Sequence, residues 1–331
     1  MTSAAAVDRA RRIAETVLYP SAMTVDGLQA IPDAQLDALA AAGLYGIAAP
    51  PESGGLAADL DTFCQVAEIL ASGCLATTFV WLQHHGAVRA LAESPNDQLR
   101  QAWLRPLAAG QRRAGVALGG ARPGPVLLAA RRVHGGYELD GSSPWVTGWG
   151  MVDAIYTLAR AAEGEVIAAL IPAQASASLT AARLDLVAVN ASATVELSFA
   201  GHFVPDGQVS SVFPQAEWLA RDTRGLRPNG SLALGIAARC CLLAGQPALD
   251  AELSQLRARL DRADAETMPA ARAAAAAFAF RAAGSAVAAT GSRGILAGQH
   301  PQRLAREALF LLVFGSRPAI RENLVSLLVS G

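Results

Sequence analysis

The 331-residue chain is 52% hydrophobic with a formal net charge of -1, enough length and apolar content for two or three structural units with buried cores. All 27 basic residues are arginines and form no basic run, which points away from a nucleic-acid partner. No window reaches the ~18 uncharged apolar residues of a membrane span, the nearest being residues 231–245, interrupted by Arg239, and the N-terminus lacks a signal-peptide core. Cys64, Cys74, Cys240 and Cys241 lack metal-site spacing, so free thiols in a reducing cytoplasm are expected.

From residue 1 to 111 the apolar residues recur at helical spacing, with cap signals at Asp33, Asp59 or Asp61 and Asn96 and stops at Gly43, Gly73 and Gly110. Residues 112–212 change period into short runs divided by Gly, Pro, Asn and Asp. "HGGYELDG" reads as a hairpin followed by a second turn at Asp140-Gly141. These runs predict an antiparallel β-barrel or sandwich. From 213 to 331 the helical period returns in four stretches joined by Gly/Pro links, which predicts a four-helix bundle. The fold class expected is therefore α+β multidomain: an N-terminal helical domain (1–111), a middle antiparallel β-barrel (112–212) and a C-terminal four-helix bundle (213–331).

Two large enzyme classes drop out: there is no G-x-S-x-G elbow, and a phosphate loop ending in Gly-Lys cannot form without lysine. His84 and His85 are helix neighbours pointing about 100° apart, and His134, His202 and His300 fall in predicted turns, so no metal site is expected. "GWGMVD" imitates half of a dinucleotide fingerprint but leads into a strand rather than a helix. In "SSPWVTGWG", Trp145 and Thr147 stand two apart on an extended segment, which puts them on one face. Two readings follow from the residues alone: an indole and a hydroxyl walling a flat ring, or a tryptophan plugging the barrel beside a turn-capping threonine.

Three stretches resemble the acyl-CoA dehydrogenase family. "AGLYGIAAPPESGG" is similar to its N-terminal segment through Gly43, Leu44, Gly46, Pro50, Gly54 and Gly55; "YELDGSSPWVTGWGMVDAIYTLAR" is similar to its "G.K.wiTn" segment; and "ATGSRGILAGQHPQRLAREALFLLVFGS" resembles its closing segment through Gly291, Gly294 and Arg306. The resemblance implies the domain order given above, flavin adenine dinucleotide (FAD) as cofactor, and Trp145, Thr147, Gly291, Gly294 and Ser316 as its contacts. It also implies oxidation of an acyl-CoA thioester between Cα and Cβ, electron-transferring flavoprotein as acceptor, and oligomerisation, here expected as a dimer.

The chain departs from that pattern where the chemistry is done. The position of the family's catalytic Glu falls on Phe314 or Gly315, and the alternative position on the first bundle helix falls close to Gly230. Glu307 and Glu322 are the nearest acidic residues in sequence. "ALGGARPGP" replaces the loop that contacts flavin and coenzyme A, the Arg-x-Phe-Gly segment is missing, and Ala288 replaces a glutamine. Three functions follow as expectations: a dehydrogenase with a relocated base, a non-catalytic subunit completed by a related acyl-CoA dehydrogenase chain, or a flavin-dependent monooxygenase on the same scaffold.

Overall fold

The computed structural model describes residues 1–330, the side chains of Arg224 and Ser330 excepted. α1 (Ser3–Ile13) passes through a π-helical turn (Ala14–Leu18) into α2 (Tyr19–Asp26), and α3 (Asp33–Ala41), α4 (Leu60–Gly73), α5 (Leu75–Ala92) and α6 (Asp97–Ala108) follow. Two of the expected caps form as the side-chain chemistry requires. Asp59 accepts the Thr62 N–H at 2.8 Å and Asn96 accepts the Leu99 N–H at 3.0 Å, each satisfying a backbone donor that the helix leaves open.

Eight strands come next: β1 (Ala114–Ala117), β2 (Leu128–Val133), β3 (Gly136–Val146), β4 (Ala154–Arg160), β5 (Glu165–Pro172), β6 (Leu179–Arg183), β7 (Val195–Pro205) and β8 (Val209–Pro214). They form one sheet in the order β6-β7-β3-β2-β4-β5-β8, with β1 beside β4. Pairing is antiparallel except that β1 and β2 run parallel to β4. β4 is buried on both sides, which is why "AIYTLA" shows no alternation. Tyr156 and Leu158 face the core shared with α5 and α6, while Ile155 and Ala159 face the core between β2, β3 and β7.

Several local expectations change. Asp140-Gly141 is no turn: it lies inside β3, where the register with β7 shifts, and a side chain on Gly141 would come within 2.1 Å of the Leu127 carbonyl oxygen. The bulge arises because only glycine tolerates both that approach and a φ of 120°. His202 lies in β7 and His300 opens a helix, so neither occupies a turn. β8 carries too few consecutive apolar residues to announce itself.

Among the described residues the C-terminal region holds six helices rather than four: α7 (Gln215–Arg224), α8 (Leu226–Ala244), α9 (Pro247–Arg262), α10 (Met268–Thr290), α11 (His300–Val313) and α12 (Pro318–Ser330). The last expected helix breaks because Gly315 takes φ 61° and Pro318 begins a new helix. The longest apolar helical stretch is Met268–Ile295, not 231–245, and half of its most apolar window is buried. α8 lies directly on α4, where a Cβ on Gly235 would stand 2.3 Å from the Glu68 carbonyl oxygen. One apolar core therefore runs from the N-terminal helices into the bundle. Arg239 reinforces this junction by pairing with Glu15 at 2.5 Å and donating to the Ser72 carbonyl.

Candidate functional site

The β3 turn presents an unusual backbone. Trp145 has φ 63°, a conformation that costs a bulky residue roughly 1–3 kcal/mol, and its side chain is 56% exposed. Thr147 is only 2% exposed, so the two do not share a face as the spacing implies. The cause is a register shift between Ser143 and Val146, which turns the indole outward while the next residues turn in.

Behind the indole lies a hydroxyl chain that the sequence did not signal. Thr147 Oγ1 stands 3.3 Å from Thr194 Oγ1, which is 2.8 Å from Ser192 Oγ. The Gly148 and Trp149 N–H groups donate to the carbonyls of Ser192 and Ala193. Val189 and Ala193 in that facing segment also adopt positive φ, so strained backbone is concentrated on both sides of the turn. A Cβ on Gly148 would meet Val80 of α5 at 3.5 Å, which places the turn against that helix.

The preceding residue of α5, Phe79, belongs to an aromatic cluster. Its ring lies 5.2 Å from Phe310 and 4.9 Å from Phe314, and the latter two stack at 5.5 Å. The position expected for a catalytic carboxylate is thus part of an apolar cluster. Glu307 is buried and holds Arg303 through contacts of 2.6 and 2.7 Å, so both of its oxygens are engaged. Glu322 is exposed on α12. Gly230 faces Leu260, whose Cδ1 would be 2.9 Å from an added Cβ; the α8 side chain that reaches the Phe314–Gly315 turn is instead Asn229.

The remaining expected contacts lie on other elements. Ser316 sits in the α11–α12 turn, half-buried. Gly291 and Gly294 belong to the 3-10 turn Gly291–Ile295, which packs on α10 and α11 and exposes Ile295 and Leu296. Arg306 holds Asp26 and the Val187 carbonyl rather than an open pocket. In the replaced loop, Gly119 and Gly120 press on β3 and β4, with an added Cβ 2.5 Å from Ser142 O and 2.4 Å from Ala159 Cα respectively. Arg160 and Gln215 bond the carbonyls that follow, so this loop is tied to the sheet.

The helix–sheet–helix order is that of an acyl-CoA dehydrogenase-type fold. The family model "Acyl-CoA dehydrogenase, N-terminal domain" matches residues 2–111. Among curated proteins, benzylmalonyl-CoA dehydrogenase of Aromatoleum aromaticum is 26% identical over 239 residues, 70% of this chain and 63% of that protein. Human mitochondrial short-chain specific acyl-CoA dehydrogenase is 25% identical over 238 residues, 69% of this chain and 58% of its own length. The matches thus span about 60% of these relatives. Butyryl-CoA dehydrogenase from Megasphaera elsdenii shares the fold with a TM-score of 0.84 at 16% identity, covering 99% of this chain and 98% of that one. A structure titled "PigA with FAD and proline" aligns with a TM-score of 0.85 at 17% identity, covering 99% and 97%. Residues 2–111 thus match that family's N-terminal domain, and the whole chain has the family's fold.

Proposed function

We propose that this chain is an FAD-binding subunit of an acyl-CoA dehydrogenase-type assembly that does not itself remove the substrate α-proton. The aromatic cluster of Phe79, Phe310 and Phe314 carries this reading. Proton removal from the carbon next to a thioester needs a base within hydrogen-bond reach, an effect worth ~10²–10⁴ in rate, and a phenyl ring supplies none. Glu307 is occupied by Arg303, and Gly230 faces α9. These observations favour a subunit over a dehydrogenase with a relocated base.

The residues present fit a flavin ring at one edge. Trp145 offers an exposed indole face on backbone held by strain, and Thr147 retains hydrogen-bonding capacity beyond its contact with Thr194. When bound, FAD would supply hydride acceptance. Trp145 would stack on its ring, Thr147 would brace the turn from behind through Thr194, and the three phenylalanines would keep water from the adjoining space. Gly291 is exposed and Ser316 half-buried at the bundle surface, where another subunit could complete a cofactor site, whereas Gly294 is buried against α10.

A related acyl-CoA dehydrogenase chain is the partner this reading requires, with electron-transferring flavoprotein as the acceptor of the whole assembly. Exposed Leu309 and Val313 on α11 and Val325, Leu327, Leu328 and Val329 on α12 provide apolar surface for such association.

The test is the visible spectrum of purified protein with added FAD, followed by anaerobic titration with butyryl-CoA. Bound flavin that butyryl-CoA leaves oxidised is the expected result, with slow bleaching in Phe314→Glu. Bleaching of the unmodified chain would overturn the proposal, as would failure to hold FAD both alone and with a related chain.

A further inference from the structure

Four arginines are buried among the described residues, and three face a carboxylate: Arg227 with Asp261, Arg239 with Glu15, and Arg303 with Glu307. Arg272 of α10 faces none, although it is 1% exposed. One of its terminal nitrogens, Nη2, donates to the Leu311 carbonyl at 3.2 Å and lies 3.5 Å from the Phe314 carbonyl oxygen; the other, Nη1, is buried without a partner. Burial lowers its pKa only to about 10, so the side chain is still a cation at neutral pH. A buried charge is ordinarily paired, and this one lacks its anion.

A second polar group reaches the same peptide from a neighbouring helix. Asn229 of α8 is half-buried, and its Nδ2 would stand 3.1 Å from a Cβ on Gly315. Among the described residues its side-chain amide has no hydrogen-bond partner, leaving two donors and an acceptor open. Arg272 and Asn229 thus both reach the Phe314–Gly315 peptide, the arginine at its carbonyl and the asparagine beside its glycine. The α11 carbonyls at this end carry partial negative charge, which offsets part of the arginine's charge and disfavours a dianion such as phosphate. A singly charged planar carboxylate matches both the guanidinium fork and the amide.

We propose that Arg272 and Asn229 form a recognition site for a carboxylate group of a small ligand at the α11–α12 turn. The carboxylate belongs either to the far end of an acyl thioester or to a free small acid. The site stands on these two side chains and does not require that flavin be bound.

Isothermal titration of the full chain with succinyl-CoA, butyryl-CoA and succinate at constant ionic strength tests this. The thioesters match in carbon number and differ in the terminal carboxylate. Succinyl-CoA is expected to bind at least tenfold more tightly than butyryl-CoA, and Asn229→Leu and Arg272→Gln should each reduce that ratio. Binding of succinate, weakened in the same variants, would instead identify a free acid as the ligand. Because loss of Arg272 also removes a cap from α11, Asn229→Leu is the variant that keeps the test independent of folding. Equal binding of the two thioesters together with no succinate binding overturns the proposal, as does an Asn229→Leu chain with undiminished preference. The flavin spectrum is read separately, so failure of this site and failure of cofactor binding are distinguishable.

Discussion

The rings of Phe79 and Phe314 meet edge to face at 4.9 Å, joining α5 of the first helical region to the turn that ends α11. Phe79 is 5% exposed, so Phe79→Ala removes a buried aromatic and leaves a cavity beside Phe310 and Phe314. We expect a loss of about 3–5 kcal/mol, measured as a lowered urea midpoint with unchanged slope. A loss under about 1 kcal/mol would mean the cluster is not packed.

Trp145→Gly separates stability from ligand binding. Glycine adopts φ 63° freely and more than half of the tryptophan is already exposed, so relief of strain should stabilise the chain by roughly 1–2 kcal/mol. The same change removes the stacking face and should weaken FAD retention at least tenfold. A variant that melts lower, or that holds FAD unchanged, contradicts the role given to this turn.

His84 and His85 make the fold acid-sensitive. Burial pushes His84 down from 6.5 to about 3 and His85 well below its ordinary value. The unfolded chain takes up these protons near pH 6.5 while the folded chain does not, so stability is full above pH 6.5 and falls as pH drops toward 3. The slope should be about 1.4 kcal/mol per pH unit for each histidine. His85 lies among the rings of Phe63, Trp81 and His84 with both nitrogens unpartnered. His85→Phe should therefore halve the slope between pH 6 and 4.5 in urea melts, and an unaltered slope would rule out this origin.

Glu307→Gln leaves Arg303 buried without its counter-charge. Chemical denaturation should show a loss of about 3–5 kcal/mol, whereas the double variant Arg303→Met, Glu307→Leu should lose less than Glu307→Gln alone. If the double variant is the worse of the two, the ion pair contributes net stability.

Part of the candidate site was legible in the sequence. The unusual composition around Trp145 marked the turn, and residue identity placed no carboxylate at Phe314 or Gly315. The orientation of Trp145 and Thr147 was not legible, because a one-residue bulge reverses every side chain after it and depends on the register with β7. Ser192 and Thr194 escaped for a related reason: they meet Thr147 only through pairing of distant segments. Asn229 and Arg272 carry no motif, and their shared peptide is set by the crossing of α8, α10 and α11.

Local chemistry in the sequence sufficed for the succession of a helical, a strand and a second helical region, the caps at Asp59 and Asn96, and the absence of a carboxylate at positions 230, 314 and 315. These depend on periodicity, side-chain donors and residue identity, which act over a few neighbours. Tertiary structure alone decided that Glu307 is spent on Arg303, that Gly230 faces Leu260, and that Arg272 is buried without an anion. Each of those outcomes is a matter of which groups share a desolvated space, and packing of segments far apart in the chain determines that.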